Sequence, residues 1–140
     1  MSTKIIKIPA DRRARIETIE VESLRYPQLN EALFDGGLIE QVRARGLAPL
    51  TSAHSTQRVV MLVDEEGLGK GLPFNPRASI LYGMHVHGQP IVGDAFIVGE
   101  IRDSEGEWDW GPLPDYLTMS TLPIYHAIDE VSENTGLFKN

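Results

Sequence analysis

The 140-residue chain contains no cysteine. That absence excludes disulfide frameworks, thiolate zinc sites, iron–sulfur clusters and cysteine nucleophiles together, and leaves the redox compartment open. No apolar run approaches the roughly 20 residues needed to cross a bilayer. The opening MSTKIIKIPADRR also lacks the longer apolar core of a secretory signal and reads as a first strand, so a cytoplasmic location is expected. Basic residues are the minority: 13 against 20 acidic ones, a formal net charge of −7. Such a balance argues against broad phosphate-backbone binding, so no nucleic-acid partner is expected, and with no spanning run no membrane partner is expected either. An acidic surface suits a basic partner, or mimicry of nucleic acid, though solubility alone explains a moderate charge. Internal repeats and low-complexity tracts are absent too. What remains is one ordinary domain, with 41% hydrophobic and 24% charged residues arguing against wholesale disorder.

The local grammar predicts short strands and helices. Lys4–Pro9 and Arg15–Glu22 read as a hairpin joined by Ala10–Arg13. Tyr26–Phe34 reads as a short helix, with Pro27 in its first turn and Asp35-Gly36-Gly37 ending it. Gly37–Arg45 is ambiguous, and its bounding glycines favour a strand. Leu47–Gln57 reads as a polar, mobile loop. Arg58–Val63 is apolar after its first residue, as a strand buried on both faces would be. Asn75 before Pro76 marks a helix start, and Gly83 a helix stop. Ile91–Ile101 is a long β-rich run in which Gly93 signals a bulge or a close backbone approach. Asp103–Asp115 reads as an aromatic-containing turn. From Pro123, Ile124, Ala127, Ile128 and Val131 recur at helical spacing, with Gly136 as the stop. Strands and helices that do not strictly alternate predict an α+β domain. The expected form is a mostly antiparallel sheet with short helices on one face and a C-terminal amphipathic helix docked through Ile124, Ile128 and Val131.

Four stretches carry a family resemblance: Gly37-Leu38-Ile39-Glu40, Val63-Asp64-Glu65-Glu66-Gly67, Leu72-Pro73-Phe74-Asn75 with Ala78, and Ile91-Val92-Gly93-Asp94 running to Val98-Gly99. In order and spacing they resemble the DUF3846 family, a domain of unknown function found largely in bacteria, phages and plasmids. The resemblance covers a core of about residues 1–102 and leaves 103–140 as a divergent extension within one domain, 1–140. It implies a phage or mobile-element accessory protein and no catalytic residue. The departures are the Leu47–Gln57 loop, the Tyr82–Gly88 stretch and everything after Arg102.

Chemistry-bearing residues are few. Asp64, Glu65 and Glu66 end a buried strand, but successive strand residues face opposite ways, so turn formation explains them better than a shared cation. Gly67-Leu68-Gly69-Lys70-Gly71 lacks the spacing and hydroxyl of a phosphate loop and leaves only an anion contact through Lys70. Asn75 and Arg77 at a helix start suit an anion, while the plainer reading makes Asn75 a cap and Arg77 a solvated side chain. His85 and His87, if extended, would point to one side as metal ligands do. A third ligand would have to come from His54, His126, Asp94 or Glu100, and no HExxH motif is present, so no metal or other cofactor is expected. Trp108 and Trp110 suit a stacking platform, or burial against the core or a dimer partner. Ser79 lies inside a helix, and no GxSxG motif exists.

Three functions fit these residues. The first is a non-enzymatic accessory protein that binds a host protein or sequesters a small ligand. Its docking surface would combine Tyr82–Gly88 with Trp108–Gly111. The second is a metal-assisted hydrolase using His85 and His87. The third is a structural oligomerisation module in which the Ile91–Ile101 strand supplies a homo-oligomer edge.

Overall fold

A computed structural model describes residues 2–50 and 57–135. Its elements are β1 (Thr3–Ile8), β2 (Glu17–Val21), α1 (Gln28–Phe34), β3 (Ile39–Val42), a 3-10 turn (Arg45–Leu50) and β4 (Gln57–Asp64). There follow α2 (Pro76–Tyr82), α3 (Met84–His87), β5 (Ala95–Arg102), β6 (Trp108–Gly111), α4 (Asp115–Met119) and α5 (Leu122–Thr135). All the strands join one sheet in the order β2-β1-β5-β4-β3, and β6 adds to β5 beyond the end of β1. Every strand pairing is antiparallel. The molecule is therefore α+β.

The pleat sorts the core into two halves. Val59, Met61 and Val63 of β4 face one way with Ile97 of β5, beneath Ala78 and Leu81 of α2, Leu117 of α4 and Ile124 and Ile128 of α5. Val60, Leu62, Phe96 and Val98 face the other way, beneath Leu29 and Phe34 of α1. Phe34 meets Phe96 edge-on, with ring centroids 5.5 Å apart. Burial of β4 on both faces follows from packing on both sides, α2, α4 and α5 over one and α1 over the other, while β3 and β5 cover its edges.

Helices thus cover both faces, not one, and they do so unequally. The face under α2, α4 and α5 is closed. The opposite face has only the seven-residue α1, which sits over the β2–β1 side and leaves the ends of β3, β4, β5 and β6 uncovered.

Three further expectations change. The start of the Leu47–Gln57 loop belongs to the 3-10 turn, anchored by buried Leu47; positions 51–56, His54 among them, lie outside the described residues, as does Gly136. Ile91–Ile101 is not one strand: Val92 bridges Phe74, Gly93 turns the chain at φ +76°, and β5 begins at Ala95. A Cβ on Gly93 would lie 2.7 Å from Leu72 Cδ1, a side-chain neighbour and not backbone, so what the glycine serves here is the positive φ of the turn. The aromatic turn after Arg102 contains β6. Asp103 Oδ1 accepts from the N–H groups of Glu105 and Glu107 and so closes the hairpin that returns the chain along β5.

Candidate functional site on the open sheet face

Side chains alternate across a strand, so register decides which polar groups share the uncovered face. Arg58 lies opposite Glu100 and Glu100 opposite Trp110, while Arg102 lies opposite Trp108. All fall in phase with Val60, Leu62, Phe96 and Val98, hence on the side where α1 packs. Gln41 joins them from β3, and Arg43 lies just past that strand's end.

Glu100 is the pivot. Its side chain is 4% exposed, and an unpartnered carboxylate there would be expensive. It instead accepts from Arg58 Nε at 2.6 Å, Gln41 Nε2 at 3.2 Å and Arg43 Nη2 at 3.4 Å. Gln41 Oε1 in turn accepts from Trp110 Nε1 at 2.7 Å, which draws that indole across the sheet against the apolar core. Arg58, held by Glu100, places its guanidinium carbon 3.6 Å from the centroid of the Trp108 ring. Arg102 approaches the same ring at 5.5 Å. Contacts of this kind contribute about 0.5–2 kcal/mol each. A cleft of about 350 Å³ lies between Arg43, Arg45 and Arg58 and the residues Leu47 and Val59 of the closed half of the core.

The result is a platform of two half-buried indoles next to arginines, with one buried carboxylate beneath. Three cations (Arg43, Arg58, Arg102) against Glu100 make this patch locally positive on a chain of net charge −7. Planar guanidinium groups beside indole rings bind flat, electron-rich rings and anionic oxygens.

The remaining candidates lie elsewhere. His85 and His87 are on α3, a helix and not an extended run, so residues two apart diverge by about 200° instead of sharing a side. His87 packs on Tyr82 at 4.4 Å between centroids, and its Nδ1 accepts from the Gln89 N–H. Tyr82 packs with the closed half of the core and Trp110 with the open half. The surface expected to combine Tyr82–Gly88 with Trp108–Gly111 is therefore split between opposite sides of the sheet.

Asn75 caps α2 as expected: its Oδ1 accepts from the Ala78 N–H at 3.0 Å. It is also fully buried, and its Nδ2 donates to the carbonyls of Ile8 and Gly93. Arg77 does not lie on a solvated face. Its Nη2 donates to the carbonyls of Pro9 and Asp11, tying α2 to the end of β1.

Asp64 organises its turn, accepting from the Glu66 N–H at 2.9 Å, and its other oxygen takes Lys70 Nζ at 2.7 Å. Lys70 thus folds back onto the protein; the bond to Asp64 raises its pKa above the ordinary lysine value. Asp94 accepts from the Ala10 N–H and pairs with Lys7, while His126 is exposed on α5. Among the described residues no group of three or more His, Cys, Asp or Glu side chains could hold a metal ion. None of the helices among them is long and apolar enough to cross a membrane.

Sequence reasoning found the tryptophans and missed Gln41, Arg43, Arg58 and Arg102; Glu100 was considered only as a metal ligand. One signal was available: Arg58 and Glu100 each sit in phase with the apolar residues of their own run, where a charged side chain needs a partner.

The fold and this arrangement define an α+β domain with one closed and one open sheet face. Residues 3–118 match the family described as Domain of unknown function (DUF3846), and the chain belongs to that family. The match runs past Arg102 and takes in β6 and all but the last residue of α4. Among solved structures, the fold is similar to part of the small RNA methyltransferase HEN1, with a TM-score of 0.54 at 16% identity. That likeness covers 91% of this chain, which spans only 16% of the length of the HEN1 chain. None of the curated proteins matches.

Proposed function

We propose that this domain is a non-enzymatic binding module, accessory to a phage or mobile element, that sequesters a small planar anion of nucleotide type on its open sheet face. The observation that carries this reading is Arg58, held by buried Glu100 at 2.6 Å and set over the half-buried Trp108 ring at 3.6 Å. A ring stacks on the indoles, and an anionic group meets Arg43, Arg58 and Arg102. Glu100 supports the non-enzymatic reading: three donors engage it, so it serves as a holder of arginines and not as a general base. The mobile-element setting is the one the family resemblance implies.

Adenosine 5′-monophosphate, adenosine and inorganic phosphate, titrated separately against tryptophan fluorescence, test it. The monophosphate is expected to quench saturably, with a dissociation constant on the order of 100 µM, about 5.5 kcal/mol of binding. Adenosine and phosphate alone bind at least about tenfold more weakly, and Trp108→Ala abolishes the saturable phase. Linear, equal quenching by all three would contradict the proposal.

A further inference from the structure

A second cleft lies at the β2 edge of the sheet, at the opposite end of the strand order from β3 and β4, which carry Arg43 and Arg58. Its volume is about 590 Å³, and it runs between β2 and α1. Ile19, Val21 and Pro27 form an apolar floor, and Glu20, Glu22 and Glu31 form the rim. Among the described residues β2 is an edge strand that pairs only with β1. An edge strand offers a row of backbone donors and acceptors to a further strand. Tyr26, next to Pro27, is 77% exposed, an unusual state for an aromatic side chain.

We infer that this edge takes an extended, basic segment of a partner protein by strand addition, a second surface independent of the ligand platform. Charge selects the occupant. From Glu17 to Asp35 the chain holds five acidic residues and one basic, Arg25, a net of −4. Lys4 stands across from Glu20 within the hairpin, and Ser2 Oγ donates to the same carboxylate, which leaves Glu22 and Glu31 exposed along the cleft. Antiparallel pairing of β2 with β2 of a second copy, centred on Ile19, sets Glu17 against Val21 and Thr18 against Glu20, so no counter-charge meets the glutamates, and it brings together two segments of net −4, which disfavours self-association at this edge. A strand alternating lysine or arginine with β-branched residues fits instead. Backbone bonds join it to the five residues of β2, about 17 Å of strand, apolar side chains enter the cleft, and cations meet the glutamates.

The test uses a fluorescent eight-residue peptide of alternating lysine and valine. Two control peptides accompany it: one with glutamate for lysine, the other N-methylated at alternate amides. The basic peptide is expected to bind saturably, with amide chemical-shift changes concentrated in β2 and affinity falling as salt rises. The acidic control does not bind, and the N-methylated control loses at least tenfold, because a blocked amide cannot complete the ladder. The double variant Glu22→Lys/Glu31→Lys, both positions exposed, keeps its fold and loses about tenfold in affinity. Equal binding of the N-methylated peptide, shift changes away from β2, no saturation, or an unaffected double variant would each overturn the inference. So would a concentration-dependent dimer of the wild-type chain that the double variant abolishes, since that places a second copy on the edge.

Discussion

At position 75 one buried amide holds three segments of chain. Its oxygen caps α2 at Ala78, and its nitrogen donates to Ile8 at the end of β1 and to Gly93 before β5. Removing it strands one N–H and two carbonyls in the core, each worth about 1 kcal/mol or more when unpaired. Asn75→Ala is therefore expected to destabilise by about 3 kcal/mol in denaturant melts, well beyond the roughly 1 kcal/mol of a lost cap alone. Asn75→Asp keeps the cap oxygen yet presents an acceptor to two carbonyls, so it too should be less stable than wild type. A loss near 1 kcal/mol for Asn75→Ala would show that the two long-range bonds contribute little. The cap was legible because its partner lies three residues away. The other two bonds were not, because Ile8 and Gly93 stand 67 and 18 residues distant. Arg77 repeats the lesson: a cation on a short helix reads as solvated until the fold brings Pro9 and Asp11 to it.

Among the elements, the hairpin of β5 and β6 decides whether the open face exists. Gly99 lies opposite Gly111, and a Cβ at Gly99 would fall 1.9 Å from the carbonyl oxygen of Pro112. Backbone cannot yield as a flexible side chain does, so Gly99→Ala forces β6 away from β5. The expected cost is about 3 kcal/mol, near the upper end for overpacking, with a shift of tryptophan emission towards that of exposed indole. Unchanged emission and stability would mean that β6 is not seated as described. Helix α5 was legible because its apolar spacing extends over two turns and Ile124, Ala127 and Ile128 are indeed buried. Short elements were harder. α3 has four residues between Gly83 and Gly88, both at positive φ, so its sequence reads as a loop. β6 has no long apolar run and exists because β5 offers it an edge. The same holds for the site, since Arg58 and Glu100 lie 42 residues apart and only the β4–β5 register makes them partners.

Across the whole molecule, charge is laid out unevenly: Arg43, Arg58 and Arg102 gather at one end of the open face, while the segment from Glu17 to Asp35 at the β2 edge carries a net of −4. A small anion reaches the arginines without meeting the rest of the surface, whereas a long polyanion has to pass over a protein of net charge −7. A 20-base-pair duplex is therefore expected to show no submicromolar affinity at about 150 mM salt, even where the mononucleotide binds. Tight duplex binding in an anisotropy titration would refute this charge argument. The central claim, that buried Glu100 organises the open face into a ligand platform, is tested most directly by proton–nitrogen NMR of the side-chain N–H groups. Spectra would follow indole Nε1 and arginine Nε during titration of wild type and Glu100→Gln with adenosine 5′-monophosphate. The account predicts saturable shifts at Trp108, Trp110 and Arg58 in the wild type, and about tenfold weaker binding in a folded Glu100→Gln protein. Absence of shifts at these three residues, or equal affinity of the variant, would contradict it.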